Sequence, residues 1–219
     1  MAAEEKALPP FFLLISEIFF SIEGETEFQG LPCIFVRTAG CNLSCSYCDS
    51  PGSRSFSSGR ELAITDILTI IKKYACSLIC ITGGEPLLQK DINPLLEILI
   101  KNNYQVLLET NGSRSVADLP AGIIKIIDVK TPSSGQAENF YRKNLLFLEG
   151  KDHLKYIIGC REDFDFTLDF IAKNHLEEKI NIVQPVYGKL AVNDLAGWVL
   201  DCGKKIRVQI QLHKLAGLP

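Results

Sequence analysis

Short apolar runs alternate with segments of helical spacing along most of this chain. Eight runs have the length and residue types of strands, and four longer segments repeat apolar residues with a helical period, as Ile64, Ile67 and Ile71 do. The predicted strands cover residues 11–20, 32–38, 78–82, 104–108, 123–129, 153–158, 179–183 and 204–212, and the predicted helices cover residues 61–74, 87–102, 161–175 and 192–202.

This alternation predicts an α/β fold built from parallel βα units. The strands read as continuous apolar runs, which is typical of parallel strands that are covered on both faces. No long linker, low-complexity tract or strong repeat divides the sequence. We therefore expect one domain over residues 1–219, with a polar, flexible stretch at residues 1–10.

Polar residues follow nearly every predicted strand. They are Arg37, Thr82 with Glu85, Glu109 to Asn111, Asp128 with Lys130, Gln184, and Gln211 with His213. In α/β barrels the active site lies at the carboxyl ends of the strands, so these side chains are expected to share one mouth. The alternative is that strand ends are polar only because loops contact water.

Composition and charge exclude several classes of function. The chain has 219 residues, 47% of them hydrophobic, a net charge of −3 and no run of lysine and arginine, so we expect no nucleic-acid interface. The longest apolar runs, 11–15 and 95–100, are too short to span a bilayer, and no positively charged flank marks a signal peptide. We expect a cytoplasmic protein without membrane contacts.

Three cysteines, Cys41, Cys45 and Cys48, stand at C-x3-C-x2-C spacing within residues 40–50. Thiolates suit both iron–sulfur clusters and zinc. In a [4Fe–4S] cluster three cysteines leave one iron open for chemistry, whereas structural zinc usually takes four protein ligands. A zinc loop with a distant fourth ligand, or three unrelated thiols, stays open as an alternative. The other five cysteines, Cys33, Cys76, Cys80, Cys160 and Cys202, lie in or beside apolar segments and are expected to be structural.

The cysteine triplet after one strand and Gly83-Gly84-Glu85-Pro86 after the next resemble the radical S-adenosylmethionine superfamily. The resemblance implies an incomplete (βα)6-type partial TIM barrel. It also implies a [4Fe–4S] cluster on Cys41, Cys45 and Cys48, whose fourth iron is chelated by S-adenosylmethionine. Reduction then releases a 5′-deoxyadenosyl radical, so no protein side chain needs to be the catalyst. The glycine turn allows close backbone approach, and Glu85 would offer a carboxylate to the methionyl ammonium group.

A closer resemblance, to the 7-carboxy-7-deazaguanine synthases, extends from about residue 16 to the end. It is carried by residues 17–25, 35–37, 40–43, 47–49, 82–86, 109–112, 132–135, 184–185 and 211–214. It implies a lyase that converts 6-carboxy-5,6,7,8-tetrahydropterin to 7-carboxy-7-deazaguanine with loss of ammonia, in queuosine and 7-deazapurine biosynthesis and tRNA modification. It further implies Mg2+, an external one-electron donor of the flavodoxin or ferredoxin type, and a homodimer.

The resemblance also assigns residues to each ligand. For S-adenosylmethionine they are Tyr47, Cys48, Asp49, Gly84, Glu85, Asp128, Val129, Lys130, Gln184, Pro185, Val186 and Tyr187. For the substrate they are Ile22, Glu23, Gly24, Arg37, Thr82 and Pro219, and for Mg2+ the residue is Ser50. Two positions depart from the family pattern: Glu23 stands where glutamine is usual, and Ser50 stands where threonine is usual.

Two other functions remain possible from the sequence. A glycyl-radical-enzyme activase shares the triplet and a short barrel but acts on a protein partner. A non-catalytic module could use the triplet for zinc or a structural cluster, but it would leave the Gly-Gly-Glu-Pro turn without a role. The polar strand ends and Arg37 favour a small pterin substrate, because a guanidinium group binds a carboxylate with two hydrogen bonds.

Overall fold

The computed structural model describes residues 11–219 of the chain. In this part of the chain one sheet has the strand order β3-β1-β2-β4-β5-β6-β7-β8-β9. Its strands are β1 (Phe12–Ile22), β2 (Pro32–Thr38), β3 (Arg60–Ala63), β4 (Leu78–Gly83), β5 (Gln105–Thr110), β6 (Ile124–Asp128), β7 (His153–Ile158), β8 (Ile180–Pro185) and β9 (Arg207–Val208). The α-helices are α1 (Ile64–Ile71), α2 (Ile92–Lys101), α3 (Arg161–Lys173), α4 (Val192–Cys202) and α5 (Leu212–Ala216).

The sheet is parallel from β2 through β9, and β1 and β3 form an antiparallel edge. The loop of residues 23–31, here called the β1–β2 loop, links this edge to the segment after β9. Leu212 donates a backbone hydrogen bond to the Gly24 carbonyl, and the Gln29 side chain donates to the Ile210 carbonyl. The loop thus spans the two ends of the sheet.

The two faces of the sheet differ because successive side chains of a strand point to opposite sides. Outward residues such as Ile81 and Tyr156 pack under the helices in two apolar clusters. Inward residues are apolar near the amino ends of the strands, where Cys80 and Leu107 join a third cluster. Farther along, the inward positions become polar, as Thr82 in β4 shows. A polar mouth therefore lies above an apolar base.

The structure departs from the predicted elements at three places. Residues 61–63 were predicted as helix but form β3, because they pair with β1. The predicted helix 87–102 starts as a 3-10 turn, and α2 begins only at Ile92. The predicted strand 204–212 is reduced to β9 and is followed by α5, since Gln209 and Gln211 hydrogen-bond to the β1–β2 loop. Residues 1–10, predicted to be flexible, lie outside the described residues.

Within residues 11–219, no helix combines the length and the apolar character that crossing a bilayer requires.

The end of β4 holds the loop that follows β2. The Gly84 N–H donates to the Thr38 carbonyl at 3.0 Å, and the Glu85 N–H donates to the Gly40 carbonyl at 2.8 Å. A Cβ atom on Gly84 would lie 2.1 Å from the Gly40 oxygen, which is a clash with backbone. Gly84 is therefore required by the close approach of two backbone segments.

Replacing Gly84 by alanine tests this contact. We expect G84A to lower the free energy of unfolding by about 2 kcal/mol or more, since two backbone segments must separate. The matched control is G197A in α4, where an added Cβ meets nothing within 4 Å; it should raise stability by about 0.5–1 kcal/mol. Chemical denaturation of both variants measures the difference, and equal stabilities would contradict the proposed backbone contact.

Candidate active site

A cavity of about 600 Å³ opens at the carboxyl ends of the parallel strands. It brings together the polar strand ends, so the prediction of a shared mouth is confirmed. The predicted residues that line it are Ile22, Glu23, Gly24, Arg37, Cys41, Cys45, Tyr47, Cys48, Asp49, Ser50, Thr82, Gly84, Asp128, Lys130, Gln184, Pro185, Val186, Tyr187 and Pro219. Two predicted residues, Glu85 and Val129, are not part of the lining.

Glu85 is fully buried, and both of its carboxylate oxygens accept hydrogen bonds. The Oε1 atom accepts from the Leu87 N–H and the Thr110 hydroxyl, and Oε2 accepts from the Asn111 N–H at 2.7 Å. Burial raises the pKa of Glu85, and these hydrogen bonds oppose that shift. Against our expectation, the carboxylate faces the end of β5 and not the cavity, because its oxygens anchor the glycine turn there.

Val129 directs its side chain into the apolar cluster under α3 and α4. Its backbone N–H donates to the Lys155 carbonyl at 2.9 Å and continues the pairing of β6 with β7. The side chain is therefore a core residue, so the predicted contact of Val129 with S-adenosylmethionine does not hold for its side chain.

The three thiols of Cys41, Cys45 and Cys48 are unpaired, partly exposed and line the same cavity. The Leu43 N–H lies 3.4 Å and the Asn111 side-chain nitrogen 3.7 Å from the Cys41 sulfur. Donors of this kind tune sulfur ligands of iron–sulfur clusters. Three thiols on one loop, with two donors at the Cys41 sulfur, match in number and type the ligands of a cluster that keeps one iron free of protein ligands.

The second half of the cysteine loop is tied to residues 131–134. Ser46 donates from its backbone to the Ser134 carbonyl at 3.1 Å and from its hydroxyl to the Ser133 carbonyl at 2.7 Å. The Tyr47 hydroxyl lies 3.1 Å from that of Thr131. Asp163, fully buried in the first turn of α3, accepts the Ser133 N–H at 2.9 Å and so holds this segment in place.

One buried ammonium group joins three carboxylates below the mouth. The Lys155 Nζ atom lies 2.7 Å from Glu25, 3.4 Å from Glu109 and 3.4 Å from Asp128. Burial would raise the pKa of Glu25, but Lys155 and the amides of Gln211 and Gln184 lower it to about 2. Burial opposes the charge on Lys155, yet the three carboxylates raise its pKa well above the ordinary value. Glu25 and Lys155 are therefore both charged at neutral pH and form an ion pair.

Arg37 stands on the opposite wall with its guanidinium group 5.5 Å above the Phe19 ring. Its Nε atom pairs with Glu17 at 2.7 Å, and Nη1 donates to the Ser50 hydroxyl at 2.8 Å. At the rim the Ser21 hydroxyl donates to the Pro219 carbonyl oxygen at 3.0 Å. The predicted substrate residues and the three cysteines thus line the same cavity.

Four residues line the cavity although the sequence analysis gives them no ligand role. They are Glu25, Glu109, Lys155 and Asn111. Glu109 and Asn111 carried a signal as polar strand ends. Lys155 carried a weaker one, because a lysine interrupts an otherwise apolar run and occupies an inward position of the strand. Nothing in the sequence marked Glu25 beyond its place in a turn, because its partner, Lys155, lies 130 residues away.

Comparisons with known proteins agree with this geometry. A family model described as the Radical SAM superfamily matches residues 35–128. A 7-carboxy-7-deazaguanine synthase of Koribacter versatilis is 38% identical over 94% of this chain and 97% of the relative. One of Methanospirillum hungatei is 41% identical over 94% of this chain and 86% of the relative. The crystal structure of QueE from Escherichia coli has a TM-score of 0.77 at 22% identity, covering 92% of this chain and 95% of that chain. The predicted fold class is confirmed.

The contribution of Lys155 can be measured by a double-mutant cycle. We expect K155M to lower the free energy of unfolding by about 3–5 kcal/mol, because the buried Glu25 and two partly buried carboxylates lose their cation. Adding E25Q should restore about 0.5–3 kcal/mol, since one of those charges is then removed.

The matched control for K155M is K173M, which breaks the exposed pair of Lys173 with Asp169. It should change stability by less than about 0.5 kcal/mol. If urea denaturation gives K155M and K173M similar values, the buried network does not support the mouth.

Proposed function

Because the chain belongs to the family of 7-carboxy-7-deazaguanine synthases, which are radical S-adenosylmethionine enzymes, we propose that it converts 6-carboxy-5,6,7,8-tetrahydropterin to 7-carboxy-7-deazaguanine with loss of ammonia. The observation that carries the proposal is a three-thiol loop that opens onto a polar cavity in a chain similar to these synthases over 94% of its length. The activase alternative is not favoured, since no feature of this cavity calls for a protein substrate.

The cysteine side of the cavity suits the cofactors. Cys41, Cys45 and Cys48 would hold a [4Fe–4S] cluster, which, when bound and reduced, supplies the electron that cleaves S-adenosylmethionine to the radical that abstracts hydrogen from the substrate. The absence of a side chain at Gly84 lets the turn after β4 pack directly against the backbone of this loop. The Lys130–Asp128 ion pair, with Nζ 2.8 Å from Oδ2, forms the neighbouring wall.

The opposite side suits the pterin. Arg37 carries a positive charge that the substrate carboxylate can approach, and Phe19 and Phe35, stacked at 4.9 Å, keep the base of that wall apolar. Thr82 is held by its hydrogen bond to Glu109 at 2.8 Å. Between these walls the substrate would lie near the cysteines, where hydrogen abstraction requires it to be close and oriented.

We infer that Ser50 provides a ligand for Mg2+. Its hydroxyl and the Asp49 carboxylate, 3.4 Å apart, supply oxygen atoms of the kind that Mg2+ prefers. Mg2+ usually keeps several waters and needs few protein ligands, with the rest coming from the substrate. Arg37, hydrogen-bonded to Ser50, would bring the substrate carboxylate to the same place.

The remaining parts of the proposal concern partners and pathway. An external one-electron donor of the flavodoxin or ferredoxin type would reduce the cluster, and the product would enter queuosine biosynthesis and tRNA modification. The homodimer that the resemblance implies is also part of the proposal.

The activity is tested anaerobically with reconstituted protein, S-adenosylmethionine, Mg2+, dithionite and 6-carboxytetrahydropterin. We expect 7-carboxy-7-deazaguanine by mass spectrometry, and we expect C45A to form none because one iron loses its ligand. The control C202A removes a thiol far from the cavity lining and should keep wild-type turnover. Formation of 5′-deoxyadenosine without the deazaguanine would show that the pterin is the wrong substrate.

The Mg2+ site is tested by measuring the rate against Mg2+ concentration. We expect S50A to need at least about tenfold more Mg2+ or to lose the stimulation, while S50T keeps it because the hydroxyl remains. The control S57A changes an exposed serine outside the cavity lining. Unchanged Mg2+ dependence in S50A would remove Ser50 from the metal site.

A further inference from the structure

Glu23 is a carboxyl group of the cavity whose hydrogen bonding is incomplete. The Glu23 side chain lines the cavity, although the residue is only 2% exposed to solvent. One oxygen, Oε1, accepts the Glu25 N–H at 3.0 Å. The other, Oε2, is buried and has no hydrogen-bond partner among the described residues. A buried polar atom of this kind usually has a partner, so Oε2 is a place for a ligand atom.

The position of Glu23 is fixed by its neighbours. Its backbone N–H donates to the Leu31 carbonyl at 2.8 Å, and its carbonyl accepts the Gly30 N–H at 2.8 Å. A Cβ atom on the next residue, Gly24, would lie 1.9 Å from Nδ1 of His213. The β1–β2 loop is therefore held on both sides of Glu23, which fixes the backbone from which the side chain enters the cavity.

The charges around Glu23 are mostly negative. The cation that acts on Glu23, Lys155, already pairs with Glu25, Glu109 and Asp128. The titratable and charged groups packed around this loop position are Glu25 of the same loop, Arg37 and Cys33 of β2, Cys80 of β4, Glu109 of β5, Asp128 of β6, Lys155 of β7 and His213 of α5. A further negative charge on Glu23 would have no cation of its own.

We propose that Glu23 binds the substrate as a neutral carboxylic acid, with its Oε2–H donating a hydrogen bond to an acceptor atom of the pterin ring. The inference rests on the proposed function and names the role of one residue in it. A neutral acid offers one donor and one acceptor, whereas a carboxylate offers acceptors only. Glu23 therefore selects for a carbonyl oxygen or an unprotonated ring nitrogen at this point, and its ionisation would place a negative charge against that acceptor.

The electrostatics agree with the geometry. Burial, followed by the charges of Glu109 and Glu25, raises the pKa of Glu23 from its ordinary value to about 8. The proton is thus bound at neutral pH and is lost as the pH rises through that value. Substrate affinity should stay constant below it and fall above it, by about tenfold for each further pH unit because one proton is linked to binding.

Binding is measured without turnover. Anaerobic calorimetry with cluster-loaded protein, S-adenosylmethionine and no reductant gives the Kd of 6-carboxytetrahydropterin between about pH 6.5 and 9.5, the interval that brackets the expected loss of the proton. In wild-type protein we expect the alkaline weakening. E23Q, which keeps a donor and an acceptor, should bind within about threefold of wild type at pH 7 and show no alkaline weakening. E23A should bind weakly throughout.

The matched control is E27Q, which removes a carboxylate from the same loop but outside the cavity lining, and it should keep the wild-type pH profile. A second measurement needs no substrate: the infrared carbonyl band of a protonated carboxyl group should be present in wild type at pH 7, absent in E23Q, and lost from wild type at alkaline pH.

The proposal is overturned if the affinity of wild-type protein for the pterin does not change with pH. It is also overturned if E23Q loads the cluster but binds the pterin more than about tenfold more weakly at pH 7, because a neutral hydrogen-bond donor would then not replace Glu23. Equal infrared bands in wild type and E23Q would overturn it as well. If wild type does not bind the pterin at any pH, the proposed substrate fails, and the infrared result still decides whether Glu23 holds a proton.

Discussion

The mouth of this barrel depends on one buried cation. Lys155 of β7 reaches Glu109 of β5 and Asp128 of β6, and it also reaches Glu25 in the β1–β2 loop. A buried charge is costly unless paired, so the strands and the loop must adopt the arrangement that surrounds the ammonium group. The same arrangement leaves Glu23 beside an already neutralised cation. One interaction therefore sets both the shape of the mouth and its local charge.

The cysteine side is organised differently, through backbone contacts rather than charges. The turn after β4 approaches the Gly40 carbonyl closely enough to exclude a side chain at Gly84, and residues 131–134 hold Ser46 from the other side. Glu85 and Asp163 serve these two supports from buried positions, each accepting several backbone hydrogen bonds. Such indirect support keeps reactive groups within the narrow geometry that chemistry needs.

Much of this could be predicted from the sequence, because apolar runs and strand-end polarity are local signals. The parallel strands, the shared mouth and the cysteine loop followed from them, and the motifs supplied the family. The predictions that were wrong concern residues whose structure depends on contacts with distant parts of the chain. Residues 61–63 are a strand only because β1 lies beside them. Glu85 was assigned to a ligand since its sequence position could not reveal that the end of β5 takes both of its oxygens. The ion pair of Lys155 with Glu25 could not be predicted, because the two residues lie 130 positions apart in the sequence.

The β1–β2 loop joins parts of the chain that are made at very different times. Gln29 contacts Ile210, and Glu25 contacts Gln211, across separations of 181 and 186 residues. During synthesis from the amino terminus, the β1–β2 loop therefore lacks these contacts until residues 210 and 211 have been made. One wall of the cavity is thus completed only when the segment after β9 reaches the loop.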